Sequence, residues 1–401
     1  MTSEWNHFAL GEITELVIDY RGKTPKKLGG DWCKQGYRAL SAKNIKTGRI
    51  VQAETIRYID ESLYRKWMKD EVQRGDILIT SEAPFGQIFF WDSDEKIVLS
   101  QRLFCVRIKP EYDARFIYYY MTTPEFQSEL DGRATGTTVI GLRQPELMKC
   151  IIRCPEIQEQ KVIAAILSSI DAKIIANEKV NDNLEQQAQS YFQELFVDNA
   201  DPEWTTGTIS DLGAVVGGST PSKAKPEYYT ESGIAWITPK DLSINKSKFA
   251  SHGENDITEL GLKNSSAVIM PEGTVLFSSR APIGYIAIAT GEVTTNQGFK
   301  SVVPKPEIGT PFVYFFLKNT LPVIEGMASG STFKEVSGST MKKVPAVIPD
   351  AETLAKFSSF CAPIFAQQRI LEEQNQSLAI LRDNLLPKLM SGEIDVSDVQ
   401  L

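Results

Sequence analysis

The strongest constraint on this chain is that its first half is written again in its second. "GKTP" at 22–25 returns as "GSTP" at 218–221, and "GYRALSAKNI" at 36–45 returns as "GIAWITPKDL" at 233–242. "GDILITSEAPFG" at 75–86 returns as "GTVLFSSRAPIG" at 273–284, with six of twelve positions identical. "PEYDARFIYYYM" at 110–121 is matched by "PEIGTPFVYFFL" at 306–317, and "RATGTTV" at 133–139 by "MASGSTF" at 327–333. The offsets are 196, 197, 198, 196 and 194, so the landmarks keep their order with small insertions between them. Such a pattern is that of two diverged copies of one module, and it settles the architecture before any single residue is weighed.

Within each copy the same elements are predicted. Gly75-Asp76 and Gly273-Thr274 are turns that feed the short apolar runs Ile77 to Ile79 and Val275 to Phe277. The following A-P-x-G places proline at a turn before another apolar run, which reads as a hairpin. Residues 113–130 and 310–326 read as helices, with Phe116, Tyr119 and Tyr120 at core spacing. Tyr118, Tyr119 and Tyr120 are better helix core than a base-stacking platform.

Each module ends in a proline, Pro155 or Pro349, followed by about forty residues of another character. Ile163, Leu167, Ile170, Ile174, Asn177, Asn181, Leu184, Ala188, Tyr191 and Leu195 alternate spacings of four and three. This is the a/d seam of a coiled coil. Adding 194 gives Phe357, Cys361, Ile364, Gln368, Leu371, Asn375, Leu378, Arg382, Leu385 and Leu389. Forty helical residues would reach about 60 Å, more than a compact module needs. Two equal helices, each following one module, can pair antiparallel, with Asn177, Asn181, Gln368 and Asn375 fixing the register. Pro363 is expected to kink the second helix near residue 362 or divide it there.

The fold class is therefore α+β: two tandem mixed α/β modules joined and spaced by two long antiparallel coiled-coil helices, with a pseudo-two-fold internal repeat. The divisions fall at 1–155, 156–197, 198–350, 351–392 and a tail, 393–401. Paired heads of this kind suit the two half-sites of a duplex, which has local dyads of its own.

With 401 residues, 42% of them hydrophobic and 23% charged, the composition is that of a soluble globular protein. No apolar run of about 18 residues is present, and "MTSEWNHFAL" lacks the order of a signal peptide, so a cytoplasmic protein is expected. Five cysteines (33, 105, 150, 154 and 361) read as reduced thiols, with Cys150 and Cys154 at a strand end rather than in a zinc site. His7 and His252 sit near no plausible catalytic partner and read as surface or turn residues.

The net charge of −8 argues against a nucleic-acid binder until it is divided by segment. Residues 1–155 hold 23 Lys+Arg against 21 Asp+Glu, 156–197 hold 3 against 7, 198–350 hold 13 against 16, and 351–401 hold 4 against 7. The helices carry most acid for their length, while basic clusters remain in the heads at "YRGKTPKK" (20–27) and "TPSKAK" (220–225). Partner subunits would have to supply much of the phosphate neutralisation.

"PEIQEQKVIAAILSSIDAKI" after module one, "LRDNLLPKLMSGEI" at 381–394, "GSTP…WITPKDL" and "RATGTT" together resemble the specificity subunits of type I restriction-modification systems. The resemblance spans nearly the whole chain in the order recognition domain, helix, recognition domain, helix. The second helix departs from it, since "PDAETLAKFSSFCAPIFA" lacks the x-E-Q-x start and carries Pro363. The resemblance implies a non-catalytic subunit that binds double-stranded DNA, each target recognition domain reading one half of a bipartite target. It also implies docking of two methyltransferase subunits through the helices, with restriction and translocase subunits in the full complex. S-adenosylmethionine, ATP and Mg would then sit on those partners, which flip an adenine to methylate its N6, and this chain would bind no cofactor or metal.

The residues themselves show no NPPY-type motif, no G-x-G loop after a strand and no G-x4-G-K-[ST]; "GKT" at 22–24 has Val17 where the first glycine belongs. "DEK" at 94–96 reads as a solvated turn rather than a nuclease motif. Side chains able to meet bases or phosphates at the repeated motifs are Arg21, Lys23, Thr24, Lys26, Lys43, Asn44, Arg133, Thr135 and Thr137 in the first head. In the second they are Ser219, Thr220, Lys223, Lys225, Lys240, Arg280, Ser329 and Ser331. A coiled-coil scaffold that assembles partners without reading DNA, and a self-sufficient nuclease or methyltransferase, are the competing readings.

Overall fold

The computed structural model describes residues 5–136, 140–330, 334–397 and 399. The chain divides into two compact units, Met1–Lys173 with Ser377–Leu401, and Ile174–Gln376.

In the first unit Ile77–Thr80 is buried at every position, which is why it reads as an unbroken apolar run, and it lies inside a four-stranded antiparallel sheet. The order is Thr14–Asp19, Leu103–Ile108, Ile77–Thr80, Ile88–Phe90. A second sheet of three strands pairs Tyr37–Leu40 antiparallel to Arg57–Ile59 and parallel to Ile97–Leu99. Asn6–Ala9 pairs with Ile151–Cys154, so the start and end of the module close on each other. The second unit repeats this plan. Its main sheet runs Gly213–Gly217, Lys300–Pro304, Val275–Ser279, Ile283–Ala289, Phe249–Ala250, and Thr205–Thr208 closes on Pro345–Ile348. Both expected hairpins are present, Ile77–Thr80 with Ile88–Phe90 and Val275–Ser279 with Ile283–Ala289.

Tyr118, Tyr119 and Tyr120 are buried in the core of the first unit with Phe116 and Ile117, as helix-core spacing predicts. The helix expected over 113–130 is, however, two helices, Ala114–Met121 and Pro124–Arg133. Pro124 has no amide proton to continue the first, and the Thr123 hydroxyl caps the second by accepting from the Phe126 amide. The counterpart, Thr310–Gly326, is unbroken despite Pro322. Cys150 and Cys154 are buried free thiols, the first just before the strand Ile151–Cys154 and the second at its end, and His7 and His252 are exposed.

The two long helices are Ile157–Gln193, extended by a π-helical turn over Glu194–Asp198, and Ala351–Ser391. Pro363 does not divide the second. It lies on an exposed face, while Phe357, Cys361 and Ile364 are buried around it in the core of the second unit. That burial holds the helix together across the hydrogen bond a proline forfeits.

Within the second unit the helices are antiparallel. The Asn177 amide donates to the Asn375 side-chain oxygen at 2.8 Å, the Gln368 amide donates to the Asn181 carbonyl at 3.2 Å, and the Tyr191 ring lies 6.0 Å from that of Phe357. Partners on the second helix thus fall in number as those on the first rise. Of the seam, Ile163, Leu167, Ile170, Ile174, Asn177, Phe357, Ile364, Leu371 and Leu389 are buried. Leu184, Tyr191, Leu195, Asn375, Leu378 and Leu385 are half-buried. Ile163, Leu167 and Leu389 belong to the core of the first unit, and Phe357 and Ile364 to that of the second, so the seam at these positions is also domain core.

Candidate nucleic-acid interface

The repeated "RATG" and "MASG" stretches occupy the same place in their units. In the first, Thr135 and Gly141 exchange two backbone hydrogen bonds of 2.9 Å, closing a narrow hairpin. The Leu142 amide then donates to the Ser81 carbonyl at 3.0 Å, which clips the hairpin to the end of strand Ile77–Thr80. In the second, Ser329 and Glu335 exchange bonds of 3.1 and 2.9 Å, and the Val336 amide donates to the Ser279 carbonyl at 3.0 Å. Thr137 and Ser331 lie outside the described residues.

Around the first hairpin the guanidinium of Arg21 forms a bidentate pair with Asp19, donates to the Leu142 carbonyl at 3.3 Å and covers the Phe104 ring. Arg21 thereby ties the Gly22 loop to the hairpin. Lys23 donates to the Trp67 carbonyl and lies 3.7 Å from the Tyr20 ring centroid; burial, with Lys69 nearby, pulls its pKa below the usual lysine range. Thr24 accepts from the Lys27 amide, Lys26 is exposed in the short turn Lys26–Leu28, and Lys43 is exposed. Arg133 pairs with Glu129 at 2.8 Å and faces Glu146 at 3.8 Å, whereas Thr135 is exposed.

Asn44 is 1% exposed. Its side-chain oxygen accepts from the Ser41 amide, and its amide donates to the Gln52 carbonyl and the Thr55 hydroxyl. Asn44 is a turn brace rather than a group presented to a duplex, because its hydrogen-bonding capacity is taken up locally.

In the second unit the Ser219 amide donates to the Thr295 carbonyl at 2.8 Å, and Thr220 hydrogen-bonds the exposed Gln297. Arg280 faces Glu335 at 3.6 Å, with Lys300 3.8 Å from the same carboxylate. Arg280 and Glu335 line a cleft of about 790 Å³ together with Pro282, Ile283, Glu325 and Lys334. The structure therefore brings Arg280 and Ser329 together through Glu335. Lys223 and Lys225 are exposed on a separate loop, Lys225 over the Tyr228 ring, and Lys240 is paired with Glu254 at 2.6 Å. Lys300 and the exposed glutamines Gln101 and Gln297, which stand 196 apart in corresponding strand-entry loops, were not selected by motif position. Aligning "SQRLF" with "NQGFK" would have found the glutamines.

The Asp94-Glu95-Lys96 triplet is occupied by charge pairs: Asp94 with Arg74, Glu95 with Arg38, Lys96 with Glu71. This is the pattern of a solvated surface. Among the described residues no helix is long and apolar enough to cross a membrane.

Comparison with known proteins agrees with this duplicated arrangement. The model of the type I restriction modification DNA specificity domain matches residues 2–186 and again 202–381. The chain is 40% identical over 173 residues to the type I restriction enzyme MjaIX specificity subunit of Methanocaldococcus jannaschii, a match spanning 43% of this chain and 40% of that relative. It is 23% identical to the HindI specificity subunit of Haemophilus influenzae over 81% of this chain and 88% of the relative. The crystal structure of the type I restriction-modification S subunit from M. genitalium shares its fold, with a TM-score of 0.59, 18% identity and 96% of each chain covered. The chain thus belongs to the type I restriction-modification DNA specificity family and carries the family's domain twice.

Proposed function

We propose that this chain is the non-catalytic subunit that selects the DNA sequence for a type I restriction-modification complex. Each head reads one half of a bipartite target, and the helices set the spacer between the halves and dock two methyltransferase subunits. The observation that carries the reading is the duplicated clip, in which the Leu142 and Val336 amides donate to the Ser81 and Ser279 carbonyls and hold the repeated motif at the same strand end in both heads. Exposed apolar side chains on the long helices support partner docking: Ile175, Val180, Phe360 and Ile370 in the second unit, Ile380 and Leu381 in the first. S-adenosylmethionine, ATP and Mg belong to the partner subunits, which carry the adenine-N6 methylation and the cleavage, and the complex works in the cytoplasm.

The test is to co-express the chain with the methyltransferase subunit of a type I system and to map methylated adenines across a plasmid. A bipartite motif of fixed spacing is expected. A stable, active complex that methylates without such a motif would favour a scaffold, and failure to form a complex would remove the partner assignment. The exposed Lys26 gives a finer expectation: Lys26→Ala weakens binding of target and unrelated duplex alike and lowers the salt slope by about one. Fluorescence titrations at several salt concentrations measure it. Unchanged binding in both Lys23 and Lys26 charge-removing variants would take this loop out of the interface.

A further inference from the structure

The loops after strands Ile77–Thr80 and Val275–Ser279 are built on one plan. The Thr80 hydroxyl accepts from the Gln87 amide, and the Ser278 hydroxyl accepts from the Tyr285 amide, both at 2.8 Å. Ala83 and Ala281 have positive φ values of 42° and 53°, each before a cis proline. Gly86 and Gly284 follow at φ 70° and 97°, and a side chain at either would press on Gln127 or Leu321. The Ser81 and Ser279 amides donate to the Arg102 and Gly298 carbonyls. Between these shared constraints stands one half-buried position whose charge is reversed between the heads: Glu82 in the first, Arg280 in the second, 198 residues apart.

Both side chains face the repeated hairpin. Glu82 lies against Gly141, whose added Cβ would stand 3.6 Å from that of Glu82, and Arg280 faces Glu335, the counterpart of Gly141. Their neighbours hold them loosely, Arg102 at 3.4 Å from Glu82 and Glu335 at 3.6 Å from Arg280. Surface pairs of this kind contribute little, so an incoming polar edge can replace them. A position that touched only phosphate would not carry a carboxylate, because like charge repels there. On a duplex a carboxylate meets donors only on base edges, where the cytosine amino group is its usual partner, and arginine pairs in bidentate fashion with guanine.

Resting on the specificity reading above, we propose that positions 82 and 280 are equivalent base-reading positions. Glu82 accepts from a cytosine amino group in one half-site, and Arg280 donates to the O6 and N7 of a guanine in the other. The shared loop fixes where the reader stands, and the residue on it chooses the base.

The experiment selects bound duplexes from a pool randomised across both half-sites, using the chain assembled with its methyltransferase subunits. Arg280→Ala is expected to lose guanine preference at a single position by roughly 5- to 150-fold, with the other half-site unaltered. Glu82→Gln is expected to relax cytosine preference at one position of the opposite half-site. Arg280→Lys keeps the charge but not the planar fork, so it guards against a folding defect and must still relax guanine. Parental preference at every position in Arg280→Lys and Glu82→Gln overturns the assignment, as does loss spread evenly over both half-sites. A parent complex that selects no bipartite sequence at all overturns the specificity reading itself, a result distinct from either.

Discussion

Glu185→Ala will destabilise the second unit by about 3–5 kcal/mol, the cost of leaving a buried charge without its partner. The charge is Lys248, whose side chain is 6% exposed and whose ammonium donates to Glu185 and to the Gln368 side-chain oxygen at 2.8 and 2.9 Å. It also lies 3.5 Å from the Phe365 ring centroid. Lys318 and the Tyr314 hydroxyl donate to the other oxygen of Glu185. Burial alone would raise the Glu185 pKa, but the Lys248 and Lys318 ammoniums outweigh it and hold it at about 2. Burial pulls Lys248 down to about 8, with Glu185 opposing. A carboxyl whose folded pKa lies below its unfolded value stabilises at neutral pH, and that contribution fades as pH falls from about 4.5 through 2. Glu185→Gln should therefore flatten the acid limb of the stability profile as well as lower its plateau. Because two units need not unfold together, amide exchange in the helix Thr310–Gly326 is the measure. Parental protection there in Glu185→Ala at pH 7 would refute the clamp.

That cluster shows where sequence reasoning stops. The repeat, the hairpins and the helical seam were legible because each is a periodicity or a pattern along the chain. Gln368 and Asn181 also stood out, as polar residues in an apolar seam, and were read as register determinants. Gln368 does bridge the helices through the Asn181 carbonyl, but it also accepts from Lys248, a residue 120 positions away in a surface-like stretch, "INKSKFA". Nothing local marks Lys248 as buried. The candidate interface divides in the same way. The motif repeat located the loops, but residue chemistry alone placed Asn44 among the presented groups, when the Ser41 turn and the Gln52 and Thr55 acceptors enclose it. Glu82 is not among the candidates that motif position and basic or polar chemistry select, although its place in the repeat is that of Arg280.

The seam itself gives the second large effect, because a strict heptad picks Tyr191 and the structure buries its neighbour. Phe192 is 2% exposed and packs against Phe196, Phe312, Phe315 and Phe357, with ring centroids 5.2 to 5.9 Å away. Tyr191 is half-buried, its ring tilted against those of Phe357 and the exposed Phe360 at centroid distances of 6.0 and 4.5 Å. A helix of 3.6 residues per turn drifts about 20° per heptad against a 3.5 repeat, so over four heptads the buried face moves toward the next residue. Ala188 to Phe192 is the i, i+4 step that domain core prefers to a coiled-coil seam. Phe192→Ala should then cost about 3–5 kcal/mol through the cavity it leaves among those rings. Tyr191→Ala, which empties no enclosed space, should cost about 1 kcal/mol. Urea titrations followed by exchange in the helix Thr310–Gly326 compare the two directly. Equal costs would mean that the first long helix meets the second head as a regular coiled coil, with Tyr191 inside; a cost concentrated on Phe192 means that by residue 192 the spacer helix has become part of the recognition domain's core.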